Sequence, residues 1–412
     1  MRQPLDILPA PSVVPDALPA TLVDGLYIHV PFCSNKCGYC DFYSLPDQTG
    51  RSMARFVDLC LRELALWVRQ SPGPSIRPRS IYLGGGTPTL LPLDLMQRLL
   101  RGIPEALDLS CVAEWTIEAN PATVSTECAA MLRAYGVDRL SMGAQSFRRE
   151  DLSQLQRQHV PEAVAASLDV ARAAGFRRLS LDLIYAIPGQ GVDTWVQTLQ
   201  AAIALGTDHL SCYNLTYEPA TPLSAQRAAG RVVVVDEETE LAMLREARDR
   251  LSAAGLPPYE ISNYARPGQE CQHNLLYWNG GNYAGLGPSA ASHVDGRRWR
   301  NQPDLAAWES AIEAGRLPVV DFEHLSPDRR AGELAMLQLR LSRGIDFADF
   351  AARTGYDARQ LWPTLLRRLR DLDLILLDER GCRLSPKGVA VADAIGAEFL
   401  SAPAPAGPLA CS

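Results

Sequence analysis

From Gly25 to Leu215, short apolar or β-branched runs alternate with longer amphipathic stretches. Strands of period two followed by helices of period near 3.6 are the signature of βα units feeding a parallel sheet. The pattern predicts strands near 26–30, 80–83, 115–118, 139–142, 179–183 and 209–215, with helices near 51–69, 93–101, 126–135, 161–174 and 193–205. About six such units are too few to close an eight-fold barrel, so a partial α/β barrel is expected, with its chemistry gathered at the carboxyl ends of the strands.

The rest of the chain divides around that unit. Residues 1–24 carry Pro4, Pro9, Pro11, Pro15 and Pro19 without strand or helix period, which predicts an extended Pro-rich arm. The barrel is assigned to 25–255, closing with a charged amphipathic helix from Asp236 to Leu251, and 256–320 reads as an irregular segment. In 321–400, helical patterns near 328–342, 346–353 and 358–372 precede a hairpin, 374–378 with 382–385, and Pro386 opens a last helix. Three helices and a hairpin predict a winged-helix-like domain; 401–412 is expected to be a flexible tail.

Composition narrows the function classes. With 412 residues, 47% hydrophobic and 21% charged, the chain has material for more than one buried core. Winged helices often read DNA, but acidic and basic residues balance between Phe322 and Leu400 and the whole chain carries a net charge of -7. A groove reader needs a surplus of Lys and Arg, so a docking or lid role is favoured and no nucleic-acid partner is expected. No leader-like start accompanies the ten cysteines, which predicts reduced thiols and a cytoplasmic setting. No apolar run reaches spanning length, which leaves a partner or an interfacial face as the route to any membrane.

The densest chemistry is Cys33-Ser34-Asn35-Lys36-Cys37-Gly38-Tyr39-Cys40, directly after the first strand. Three thiolates at CxxxCxxC spacing can hold three corners of a cubane 4Fe-4S cluster whose full complement is four, leaving one iron open. A zinc site remains the alternative; its fourth ligand would have to be His29, awkwardly placed within the strand. The spacing closely resembles that of the radical SAM superfamily, which implies S-adenosylmethionine chelating the open iron. Gly84-Gly85-Gly86-Thr87 follows the second strand and lets backbone groups approach a polar ligand, although a glycine run alone is more often a tight turn. Glu118 and Asp182 end the third and fifth strands, where a buried carboxylate needs a donor or cation. Gln145 and Arg157 supply donors suited to ribose and carboxylate, with a solvated surface charge as the plainer reading of Arg157. Tyr27 and Tyr39 suit an adenosyl group, or simply the core.

Taken together, Tyr27-Ile28-His29-Val30-Pro31-Phe32-Cys33, Gly84 to Pro88, Glu118-Ala119-Asn120-Pro121 and Gln145-Ser146-Phe147 resemble the oxygen-independent coproporphyrinogen III dehydrogenase family, from about residue 25 to the C terminus. The resemblance implies a cluster on Cys33, Cys37 and Cys40, and S-adenosylmethionine contacts at Tyr27, Tyr39, Gly85, Gly86, Thr87, Glu118, Gln145, Arg157 and Asp182. Two departures separate the branches. Phe42 stands where the dehydrogenases carry a further cysteine, and Cys271-Gln272-His273-Asn274-Leu275-Leu276-Tyr277-Trp278 is similar to the HNxxYW signature of HemW-type haem chaperones. That branch implies capture of haem and delivery to acceptor proteins, respiratory ones among them. It offers His273 and Cys271 as first axial-ligand candidates and His293, near Arg297 and Arg298, as the next. The plainer reading of the motif is a loop stitched by side-chain hydrogen bonds. Radical decarboxylation in porphyrin biosynthesis stays as the alternative activity. A dimer is compatible with a carrier role, and nothing in the sequence demands one.

Overall fold

Alternation along the parallel strands sends apolar side chains one way and polar ones the other. On one face Leu26, Ile28, Ile81, Leu83, Ile117, Leu140, Leu181 and Leu210 are fully buried and belong to the main apolar core with the helices. On the other, Tyr82, Thr116, Glu118, Ser141, Asp182 and Ser211 line a cavity. A period of two makes this division. The computed structural model describes residues 21–46, 49–69 and 75–401.

The strands are β1 (Leu22–Val30), β2 (Ser75–Gly85), β3 (Glu114–Ala119), β4 (Arg139–Gln145), β5 (Arg178–Tyr185), β6 (His209–Asn214), β7 (Asn263–Ala265), β8 (Tyr283–Leu286), β9 (Ala291–Val294), β10 (Arg297–Asn301) and β11 (Val319–His324). They form one sheet in the order β11-β10-β9-β8-β1-β2-β3-β4-β5-β6-β7. β1 to β6 are parallel and in sequence order, and β8 joins β1 in parallel. β7 and β9 to β11 add antiparallel edges. The fold is the expected α/β partial barrel of six units, followed by a C-terminal helical domain.

The helix Gly50–Arg69 buries Phe56, Val57, Cys60, Leu64 and Trp67. Phe56 meets Phe32 edge-on at 5.3 Å and Trp308 at 5.6 Å, and each such side chain contributes about 1.5–3 kcal/mol by burial. The same helix places a carboxyl in the core. Glu63 accepts from Gly287 N at 2.8 Å, Asn301 Nδ2 at 2.7 Å and Trp308 Nε1 at 3.0 Å, tying the helix to the added strands.

Three boundaries differ from the sequence reading. The segment 256–320, expected to be irregular, contains β7 to β10, the start of β11, and the helices Gln272–Trp278 and Leu305–Glu313. Strands of three to five residues and helices of seven to nine are too short to display their periods. Leu22 and Val23 belong to β1, paired with Ser75 and Ile76, rather than to the arm; residues 1–20 and 402–412 lie outside the described residues. The helix expected over 358–372 is split into Ala358–Leu361 and Pro363–Asp371, because proline at the first turn of the second piece cannot donate to the preceding one.

The C-terminal unit has its own core of Leu334, Leu339, Phe350, Trp362, Leu369 and Phe399. It combines the helices Pro327–Arg340, Phe347–Thr354 and Pro363–Asp371 with β12 (Ile345–Asp346), β13 (Ile375–Leu377) and β14 (Gly381–Leu384), ordered β12-β14-β13, before the helix Ala392–Ser401.

Candidate functional site

A cavity of about 560 Å³ opens at the carboxyl ends of the parallel strands. Among its lining residues are Cys33, Cys37, Tyr39, Cys40, Gly85, Gly86, Thr87, Glu118, Gln145, Arg157 and Asp182. One loop after β1 brings the thiols. Cys33 N donates to Leu45 O at 3.2 Å and Cys40 N to Cys37 O at 3.2 Å, folding the loop over the strand ends.

The glycine run sits against that loop. Gly86 N donates to Val30 O at 2.8 Å and Thr87 N to Phe32 O at 2.7 Å, and Thr87 Oγ1 lies 3.7 Å from Cys33 Sγ. A Cβ at Gly86 would stand 2.6 Å from Phe32 O. At Gly85, φ is +103°, a region an L side chain resists, and a Cβ would meet the His29 ring at 2.4 Å.

Two carboxyls, Glu118 and Asp182, and the Arg157 guanidinium line the same cavity. Glu118 accepts from Tyr82 OH at 2.7 Å and from Gly85 N at 3.0 Å. Burial raises its pKa to about 7; the Tyr82 and Gly85 hydrogen bonds oppose this rise, while the charge of Asp182 adds to it. Burial likewise raises Asp182 to about 6, against hydrogen bonds from Ser211 and Ser141 and the charge of Arg157. Arg157 donates to Gly143 O at 2.7 Å and to Cys37 Sγ at 3.6 Å. Burial also pushes the thiols of Cys33 and Cys40 upward, the latter to about 11.

This donor set fits a cubane and a sulfonium amino acid. Three part-exposed thiols line the same cavity as a guanidinium, two carboxyls and a backbone cradle. Among the described residues no three His, Cys, Asp or Glu side chains converge to hold a single metal ion. A cubane makes no such demand, since each thiolate takes its own iron. His29 is occupied elsewhere: Nδ1 pairs with Tyr27 OH at 3.0 Å and Nε2 donates to Tyr43 O at 2.7 Å.

Of the other sequence candidates, Cys271 alone borders the cavity. Tyr27 is buried behind the cavity wall, bonded to His29. His273 is buried with both ring nitrogens paired, Nδ1 with Ser80 Oγ at 2.9 Å and Nε2 with Tyr277 OH at 2.8 Å. Cys271 reaches the cavity's inner end, where its thiol donates to Glu114 Oε1 at 3.3 Å beneath the buried Arg139–Glu114 pair. His293 lies on β9 in a separate pocket.

The sequence reading did not single out Tyr82, Ser141 or Ser211, nor the place of Asn274, which lines the cavity and donates to Tyr259 OH at 3.3 Å. The available signal was polar residues at the inward positions of otherwise apolar strands. The HNxxYW helix proves to be a joint: His273 stacks on Tyr82, and Arg340 of the C-terminal unit lies 4.6 Å over the Trp278 ring.

A model of the Radical SAM superfamily matches residues 27–202, and one of the HemN C-terminal domain matches 325–391. The heme chaperone HemW of Mycobacterium tuberculosis is 39% identical over 331 residues, covering 80% of this chain and 84% of that one. The chain belongs to the HemW family. Bacillus subtilis heme chaperone HemW is 31% identical over 375 residues, 91% of this chain and 98% of its own. In three dimensions the chain is similar to the solved Escherichia coli coproporphyrinogen III oxidase (HemN), a radical SAM enzyme. That match has a TM-score of 0.80 at 24% identity and covers 92% and 90% of the two chains, which establishes the shared fold. Among the described residues no helix is long and apolar enough to cross a membrane.

Proposed function

We propose that this HemW-family chain is a haem chaperone, which binds haem and hands it to acceptor proteins while holding a 4Fe-4S cluster and S-adenosylmethionine. The observation that carries the reading is the kinship with heme chaperone HemW proteins at up to 39% identity over four fifths of the chain. Phe42 supports it further, standing two residues after Cys40 at the mouth of the cavity.

Cys33, Cys37 and Cys40 would hold the cluster, and Gly85, Gly86, Thr87, Glu118, Gln145, Arg157 and Asp182 would receive the amino acid and nucleoside. When bound, the cluster supplies an open iron and one electron to the sulfonium. The chain's own residues orient and shield. Arg157 donates to Cys37 Sγ and so holds that side chain beside the cavity, and Glu118, held by Tyr82 and Gly85, presents a carboxyl to an ammonium or hydroxyl. The proposed setting is cytoplasmic.

Titration with haem under anaerobic conditions tests the reading: a saturable Soret shift followed by transfer to an apo-acceptor is expected. The shared fold with a coproporphyrinogen oxidase keeps radical decarboxylation as the second reading. Conversion of coproporphyrinogen to protoporphyrinogen by protein with reduced cluster, with no haem uptake, would establish that activity and overturn the first.

A further inference from the structure

A chaperone for haem needs an imidazole, thiolate, thioether or phenolate whose donor atom is free and reachable. His273 and Cys271 do not meet that condition, because both ring nitrogens of the first and the thiol of the second are buried and committed. His293 does. Its Nδ1 donates to Gly281 O at 2.9 Å, which fixes the tautomer and leaves the lone pair on Nε2, in a side chain that lines a pocket. Among the described residues Nε2 has no hydrogen-bond partner, and it is not among the buried polar atoms left without one. A carbonyl accepting from one ring nitrogen while the other faces an opening is the usual arrangement behind a metal-binding histidine. Burial also lowers the affinity of this ring for a proton, so the neutral form prevails near pH 7.

The opening is a pocket of about 350 Å³ between the added strands and the first helix of the C-terminal unit. Leu334 and Leu337 give it an apolar wall, and Arg330 and Arg353 place cations at the same pocket. Three carboxylates line it as well: Asp295 and Glu333 already face Arg330 and Arg298, and Asp24 stands at the β1 side. Arg330 stands 3.5 Å from Asp295; Arg353 stands 3.7 Å from Asp349 through one nitrogen and donates the other to Asn279 O. Exposed pairs at that separation contribute little and exchange readily for a propionate.

We propose that His293 is the axial ligand of the transferred haem, with one edge of the macrocycle seated in this pocket and Arg330 and Arg353 meeting its propionates. This rests on the chaperone reading and names its cargo site. A pocket of that volume covers only part of a porphyrin, and partial cover suits a carrier that must release what it binds. The site is distinct from the cluster cavity, so uptake and the S-adenosylmethionine chemistry are spatially separate.

The test compares the full chain with His293→Asn, whose amide can still donate to the Gly281 carbonyl but offers no Nε2. Haem binding is followed by absorbance and by electron paramagnetic resonance of the ferric complex. The variant should bind at least ten-fold more weakly and lose the imidazole-ligated spectrum, and added imidazole should restore that spectrum. Wild-type protein that binds haem together with a variant of equal affinity and unchanged spectrum would overturn the His293 site while leaving the chaperone reading in place. Wild-type protein that takes up no haem would overturn both.

Discussion

The Tyr82 hydroxyl donates to Glu118 Oε1 at 2.7 Å while its ring stacks on His273 with centroids 5.3 Å apart. One side chain therefore joins the carboxyl of the cluster cavity to the HNxxYW helix, and Trp278 at the other end of that helix carries Arg340 of the C-terminal unit. A change in the cavity has a packed route to the rest of the molecule.

Replacing Tyr82 by Phe keeps the stack and removes the donor. Glu118 then loses the main hydrogen bond that opposes its raised pKa. Binding of S-adenosylmethionine to reconstituted protein should weaken about ten-fold, the worth of one hydrogen bond to a charged group. Calorimetry reads this directly, and an unchanged affinity would remove Glu118 from the ligand set.

His273 makes the HNxxYW helix acid-sensitive. Burial lowers its pKa to about 3, so the folded state binds fewer protons than the unfolded one below about pH 6.5. Stability from this group is present above that pH and declines as pH falls toward 3. His273→Leu should cost about 2–4 kcal/mol at pH 7.5, from two broken hydrogen bonds and the stranded Ser80 and Tyr277 hydroxyls. The gap to wild type should narrow by about 2 kcal/mol at pH 5. Urea unfolding at the two pH values checks this, and an equal cost at both would contradict it.

Glu63 is the buried tie between the helix Gly50–Arg69 and the added strands. Glu63→Ala strands three donors, Gly287 N, Asn301 Nδ2 and Trp308 Nε1, and should cost about 3–5 kcal/mol, from about 1–3 kcal/mol for each stranded buried donor. Hydrogen exchange should show the loss concentrated in β8 to β10, and uniform loss across the sheet would argue against a local tie.

Gly86→Ala would press a Cβ to 2.6 Å from the Phe32 carbonyl. The opposing atom is backbone, so the cysteine loop itself must shift. Retention of S-adenosylmethionine should fall by more than about ten-fold while thermal stability changes by no more than about 1–3 kcal/mol. Iron and sulfide analysis with a binding assay separates the two, and unaltered binding would refute the close approach.

Much of this was legible in the sequence. The six parallel strands and their helices announced themselves because each is long enough to show its period and is bounded by glycine or proline. That Cys33, Cys37, Cys40 and Gly85 to Thr87 line one cavity was readable because each group is contiguous in sequence and follows a neighbouring strand. The strands of 256–320 were not, since three- to five-residue elements have no period and owe their place to pairing with β1, with β6 and with one another. Tyr82, Ser141 and Ser211 were missed for a different reason: each is an ordinary strand residue whose role arises from the neighbour across the sheet. The sequence ranked His273 ahead of His293 as an axial-ligand candidate; what it could not show is that Ser80 and Tyr277 occupy both ring nitrogens of the first.

The proposed cluster is anchored by three thiolates, with one iron left for an exogenous ligand. Anaerobically reconstituted, reduced protein should contain about four irons per chain, and its electron paramagnetic spectrum should change on adding S-adenosylmethionine, with Cys37→Ser losing iron and sulfide while remaining folded. Bound zinc in place of iron, or a cluster spectrum indifferent to that addition, would contradict the account.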